Sequence, residues 1–240
     1  MNFQESFMSR FLYETHCHTV PASLCSSASG EDMARYYKSK GYDGIMITDH
    51  FFNGNTGIDK SLPWKERVEQ FCIGYESAKK VGDEIGLSVF FGFEYNRGGA
   101  EFLIYGLDKQ WLIEHPEIME MRICDLYKLV CECGGAMIQA HPFRQAPYLE
   151  RIAIYPDHCD GIEAINTSNS YFCNQNAVWY AKTFNLYSTC GSDNHWVGRE
   201  NLGGVYTDTK LETIEDWVSV IKNKQHIEFY QAQPLDYDIG

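Results

Sequence analysis

The feature that most constrains this chain is an alternation. Short runs of β-branched and aromatic residues end in polar residues, and helical patterns follow. The strand-like runs are Phe11 to Thr15, Gly44 to Thr48, Ser88 to Phe93, Phe102 to Gly106, Ala136 to Ala140, Gly161 to Ile165 and Leu186 to Cys190, with a weaker one at Gly204 to Thr207. Between them, helices are predicted from Gly30 to Ser39, Trp64 to Gly86, Met119 to Cys133, Cys173 to Phe184 and Thr213 to Asn223. Such alternation predicts an α/β fold with mainly parallel strands. Seven or eight units in 240 residues fit one barrel, read as a single domain over 1–240. In such barrels the chemistry sits at the C-terminal ends of the strands.

The residues at those ends are all of one kind. The first run ends in His16-Cys17-His18, and residues two apart in extended backbone point to the same side. The second ends in Asp49-His50, the third in Glu94, the fifth in His141 and the seventh in Asp193-Asn194-His195. His158 stands more loosely before the sixth. Taken singly, each has an ordinary explanation: a surface histidine, an Asp capping a helix, a solvated Glu. Five histidines, two aspartates and a glutamate at one end of successive strands point to a metal site instead.

Charge narrows the chemistry. Lys and Arg number 20 against 33 Asp and Glu, a formal net charge of −13. Such a surface repels polyanions and predicts no stable nucleic-acid binding. An anionic substrate then needs a local reversal of the field, which bound cations supply. The N-terminal MNFQESFMSR lacks the apolar core of a leader, and no run approaches the length needed to span a membrane. Nine scattered cysteines without paired spacing predict reduced thiols in a cytoplasm.

Together the motifs His16-Cys17-His18, Thr48-Asp49-His50, Gly92-Phe93-Glu94, Ala140-His141-Pro142 and Gly191-Ser192-Asp193-Asn194-His195 resemble the PHP (polymerase and histidinol phosphatase) family of metal-dependent phosphoesterases. The resemblance spans residues 16 to 195 and implies a distorted seven-stranded β/α barrel of TIM-like form. It implies two to three divalent ions. His16, His18, Glu94 and Asp193 would hold one, Glu94 would bridge to a second that His141 also binds, and His50 and His195 would hold a third. Zn, Mn and Fe all suit imidazole with carboxylate. Asp49 points away from His50 and is expected to orient a ligand.

Two positions depart from the family pattern. Where many members carry a further His after the Glu, this chain has Glu101 and Phe102, so Glu101 or water is left to complete the second site. Where many carry a His or Asp shortly after the first motif, it has Cys25. That residue is either a thiolate ligand favouring zinc or a small buried hydrophobe.

Phosphoester hydrolysis by a metal-activated hydroxide needs no side-chain nucleophile, and neither a GxSxG elbow nor a Walker-type loop occurs. Arg144 follows His141 closely and could fork onto a phosphoryl oxygen, with Arg97 and Arg199 as lesser candidates; each could equally be a loop Arg paired to a surface acid. Arg144, Asp49 and His195 are the residues assigned to the reaction itself. Phe51, Phe52, Tyr95 and Trp196 flank the motifs and could wall a pocket for a nucleoside or imidazole, or simply pack. Glu163 and Asn166 read as structural. The expected substrate is a small phosphorylated metabolite, mono- or diester, histidinol phosphate among the options, and the oligomeric state stays open. Two rivals remain: an amidohydrolase, which would normally want a bridging lysine at a strand end, and a non-catalytic metal-binding module.

Overall fold

The computed structural model describes residues 10–147 and 149–233; most of the N-terminal stretch read above for a leader lies outside them. Six strands run parallel: β1 (Phe11–Cys17), β2 (Gly44–Ile47), β3 (Ser88–Arg97), β5 (Ala136–Ala140), β6 (Gly161–Asn166) and β7 (Tyr187–Gly191). β4 (Ala100–Tyr105) lies antiparallel between β3 and β5. β8 (Gly203–Thr207) pairs antiparallel with β1, and β9 (Glu228–Gln231) covers β8. The order is β7-β6-β5-β4-β3-β2-β1-β8-β9.

The sheet curls until its ends nearly meet on β1. The first half of β1 pairs with β8, from Phe11 opposite Thr207 to Tyr13 opposite Val205. Its second half meets the end of β7: Thr15 Oγ1 donates to the Cys190 carbonyl at 2.9 Å and His18 N to the Asn194 carbonyl at 2.8 Å. The barrel therefore has nine mixed strands, not seven. The excess is the β8–β9 pair: β8 matches the weaker run at Gly204 to Thr207, and the hydropathy pattern misses β9. The β3–β4 turn is Gly98-Gly99, both at positive φ (62° and 89°), as a two-residue hairpin turn of this hand requires.

Helices α1 (Gly30–Ser39), α2 (Trp64–Phe71), α3 (Ile73–Ile85), α4 (Lys109–Glu114), α5 (Ile123–Glu132), α6 (Tyr171–Phe184) and α7 (Ile214–Lys222) fill the crossovers. The long helix expected from Trp64 to Gly86 is two, turning at Cys72. The turn lets Val68 and Phe71 join one core cluster while Ala78 and Val81 join another, which one straight stripe could not do. The stretch expected as helix from Met119 opens instead with a short 3-10 turn, Pro116–Glu120. Leu103, Ile138, Ala140, Val205 and Trp217 share a further buried cluster, where truncating Leu103 to Ala costs about 2–5 kcal/mol. No helix among the described residues is long and apolar enough to cross a membrane.

Candidate metal centre

The predicted ligands meet at one rim of the barrel. His16 and His18 leave β1 on one side and are fully buried. His50 follows β2, His141 follows β5, and Asp193 and His195 follow β7. Glu94 is not at a strand end as expected, because β3 continues to Arg97; it stands mid-strand opposite Leu103 of β4. There it reaches four histidines. Its Oε1 lies 3.3 Å from His16 Nε2 and 3.2 Å from His141 Nε2, and its Oε2 lies 2.5 Å from His50 Nδ1 and 3.8 Å from His18 Nε2. Asp193 Oδ1 is 3.2 Å from His18 Nε2 and 3.6 Å from His16 Nε2. His141 and Asp193 hold positive φ (25° and 53°), a strained conformation for residues with side chains.

The surrounding hydrogen bonds fix which ring nitrogens carry hydrogen. Ser23 Oγ donates to Asp49 Oδ1 at 2.7 Å, so towards His18 Nδ1, 3.0 Å away, it can only accept. His18 therefore keeps its hydrogen on Nδ1. Glu163, as a carboxylate, accepts from His16 Nδ1 at 3.0 Å. Both Nε2 atoms are left with lone pairs, and they lie 3.0 Å apart. Around them stand Glu94 and Asp193 oxygens; Asp193 Oδ1 is buried without a hydrogen-bond donor, and Glu94 Oε2 has only the close His50 Nδ1 beside it. Acceptors facing acceptors in a water-poor site need positive charge between them, and imidazole with carboxylate is the donor set of a divalent cation. The residues present fit a metal.

Without a cation, protons take its place. Burial resists charging His16, but Glu163, Asp193 and Glu94 outweigh it and push its pKa well above the ordinary range. Burial together with His195 and His50 holds His18 well below. Against their own burial, Glu94 is held well below the usual carboxylate range by His50 and His16, and Asp193 by His16 and His18.

Several supporting residues emerge that the sequence reading missed or misjudged. Glu163, read as structural, bonds His16 with one oxygen and accepts from the His141 backbone N–H (3.1 Å) and Asn166 Nδ2 (2.8 Å) with the other. Gly191 makes room for this pair, since a Cβ there would come within 2.8 Å of His16 Cβ and 2.7 Å of Glu163 Oε1. Asp49 gathers Thr19 Oγ1 (2.6 Å) and Ser23, and burial pushes its pKa up to about 6. It touches no ligand directly and reaches His18 through Ser23. Glu14 accepts from the His16 and Ser192 backbone N–H groups and from Tyr37, and burial pushes it up to about 7. The two-residue period of the strand places Glu14 on the His16 face, a signal one step short of use. No sequence signal marks Ser23.

Beside this pair of rings, His18, His50 and His195 bring ligand atoms within 4.8 Å of one another, as do His50, Glu94 and Glu101. Cys25 is exposed, not a buried hydrophobe, and its Sγ sits 3.2 Å from His50 Nε2. Burial raises its thiol, but His195 and His50 bring it down to about 6. Glu101 enters from β4, which runs the opposite way, so the start of that strand reaches the same rim; its Oε2 is 3.5 Å from His141 Nε2.

A cleft of about 890 Å³ opens over the cluster, lined among others by Cys25, His50, Glu101, Arg144, Asp193 and His195. Arg144 Nη1 stands 3.3 Å from Asp193 Oδ2. Arg199 also lines the cleft, but Asn201, Ser168 and Thr167 occupy its guanidinium. Arg97 points away from the cluster and donates to the Met119 carbonyl. Phe51, Phe52 and Tyr95 are core residues, so of the flanking aromatics only Trp196 faces the cleft. His158 lies in the loop before β6, outside the cluster.

No family model and no curated protein matches the chain by sequence. Solved structures do match by fold. A two-domain protein from Bacteroides vulgatus, containing a predicted PHP-like metal-dependent phosphoesterase, superposes with a TM-score of 0.65 at 16% identity over 92% of this chain. This chain spans 65% of that protein's length. A protein from Bifidobacterium adolescentis, assigned as a metal-dependent phosphoesterase, gives 0.54 at 15% over 78% of this chain and 88% of its own. The lesion-specific endonuclease EndoQ of Pyrococcus furiosus gives 0.57 at 14% over 92% of this chain and 58% of its own. The chain is thus built on the barrel fold of the PHP-like metal-dependent phosphoesterases.

Proposed function

We propose that this protein is a metal-dependent phosphoesterase acting on a small phosphorylated metabolite. The observation that carries the reading is the convergence of buried ligand atoms: His16 and His18 Nε2, 3.0 Å apart, with Glu94 and Asp193 oxygens around them. Its place under an open cleft supports a reacting centre.

In this reading His16, His18, Glu94 and Asp193 hold one divalent ion, and Glu94, His141 and Glu101 a second. Cys25, His50 and His195 are the candidate ligands of a third. Divalent ions bound there would supply positive charge against the phosphate and acidify a bound water towards a pKa of ~7. Arg144 turns its fork from Asp193 to a phosphoryl oxygen. With the third site empty, His195, at the cleft edge, would be the side chain that passes a proton to the departing oxygen. Asp49 acts at a distance, holding His18 in the tautomer that frees Nε2.

An amidohydrolase with a bridging lysine is less well supported, since no lysine lines the cleft among the described residues. A purely metal-binding module leaves the cleft and Arg144 without a purpose. Nucleic acid is disfavoured by the −13 net charge, although one protein of this fold is an endonuclease.

The test is metal analysis of the purified protein coupled to phosphate release from a panel of phosphomonoesters, phosphodiesters and a short oligonucleotide. Two or more equivalents of metal with release from a small ester are expected. One equivalent or less under all metallation conditions, with no ester cleaved, overturns the reading. Cleavage confined to the oligonucleotide overturns the substrate class.

A further inference from the structure

Most side chains that line the cleft are polar or charged, among them Asn53, Asn96, Arg144, Ser168 and Arg199 around the ligands. Among the described residues that line it, the one large apolar side chain is Trp196, 48% exposed and adjacent in sequence to His195. The ring is not a loose surface side chain. The Arg199 guanidinium lies over one face, 5.6 Å from the ring centroid. Arg199 is itself pinned, with Nε on the Asn201 carbonyl (2.9 Å), Nη1 on Ser168 Oγ (2.6 Å) and Nη2 on Thr167 Oγ1 (3.3 Å). The Trp196 backbone N–H is held by Asn194 Oδ1 at 3.3 Å. A backed, oriented indole beside a metal cluster presents a fixed flat surface, at little cost in side-chain freedom. The cleft volume, about 890 Å³, lies in the range of sites for whole organic ligands rather than a phosphoryl group alone.

We propose that Trp196 is a stacking platform that sets substrate choice: the preferred ester carries a flat heteroaromatic ring, as a nucleotide does. The ring lies on the indole while the phosphate lies over the His16–His18–Glu94–Asp193 cluster. Stacking of a base on an aromatic side chain discriminates by shape and surface without hydrogen-bond readout. Arg199 serves as the backing, which its occupied donors suit better than phosphate capture. This inference rests on the phosphoesterase reading and gives it a substrate class.

The test compares adenosine 5′-monophosphate with ribose 5-phosphate, the same ester without its base, on the metal-loaded protein and on Trp196→Ala and Trp196→Phe. The wild type is expected to favour the nucleotide in kcat/KM by about tenfold or more. Trp196→Ala should bring that ratio close to one, mainly through a higher KM for the nucleotide, and Trp196→Phe should keep much of it. Binding has its own readout: the nucleotide should quench the fluorescence component of wild type, one of five tryptophans, that Trp196→Phe lacks. Hydrolysis of both esters with a wild-type ratio near one, or a ratio unchanged in a folded Trp196→Ala, overturns the platform and leaves the phosphoesterase standing. Quenching at Trp196 without phosphate release from any ester supports the platform and overturns the phosphoesterase.

Discussion

Glu163 lies behind the cluster and touches two of its histidines, so exchanging it for Gln tests the tautomer logic directly. One carboxylate oxygen takes the His16 Nδ1 hydrogen at 3.0 Å; the other takes the His141 N–H at 3.1 Å and Asn166 Nδ2 at 2.8 Å. Gln has the same shape, but one of its two ends donates. If the amide NH₂ faces His16, the ring must accept at Nδ1 and carry its hydrogen on Nε2, the atom aimed at Glu94 and Asp193. If it faces His141, donor meets donor in a buried site, costing about 1–3 kcal/mol. Either way the metal pays. Loss of such an orienting partner lowers metal affinity about 10- to 100-fold, or ~1.4–2.8 kcal/mol. The assay is competition with a chromophoric chelator, run beside thermal melting of the metal-free protein to separate affinity from folding. Affinity within twofold of the parent would falsify the assignment of Glu163 as the group that sets the His16 tautomer.

Glu94→Gln should remain folded yet lose activity and at least one metal equivalent, because Glu94 is shared among four histidines; wild-type turnover with full metal content would refute this. Arg144→Ala should keep its metal while kcat/KM falls by roughly ten- to several-hundred-fold, and Arg144→Lys should recover little, since a point charge lacks the planar fork. Steady-state kinetics with metal analysis decides it, and parental kinetics in both variants would return Arg144 to a surface role. In the metal-free protein Cys25 is the thiol that ionises early, at about 6. Because the thiolate is the nucleophile, its alkylation by iodoacetamide should rise through that pH and level off above it. Cys72 and Cys159, pushed up to about 12 by burial, should stay unmodified. Peptide mass spectrometry reads this out, and a Cys25 rate that climbs only near the ordinary thiol range of ~8.5 contradicts it.

The parts of the site that announce themselves in sequence are those whose geometry is local. His16 and His18 share a face because strand residues alternate, and ligands at strand ends stand out against apolar runs. Supporting contacts are harder to read because they join distant segments: Glu163 to His16 across 147 residues, Ser192 to Glu14 across 178. Periodicity also mistakes continuity. It predicts one helix through Cys72, where the demands of two core clusters turn the chain, and it ends β3 at Glu94, where the Gly98-Gly99 hairpin carries it on. Exposure is the least legible property of all. Phe51, Phe52, Tyr95 and Trp196 look alike beside their motifs, and only tertiary packing separates the three core residues from the one at the cleft.

The closure of the barrel on β1 has a consequence for the order in which the protein can be made. Among the described strands, β1, which leads into the His16–His18 pair, is synthesised first, and its neighbours β7 and β8 come well after it. Until the chain has been synthesised through about Thr207, one edge of β1 has no partner, and Asp193 is not in place to face the two rings. The nascent chain must carry an unpaired strand edge while the segment between β1 and β8 is made. Such long-range pairing folds slowly and exposes aggregation-prone surface on the way. Buried charge-bearing side chains on β1 make that early strand a poor template for self-association, so the residues that gather the metal also guard the chain before there is a barrel to hold one.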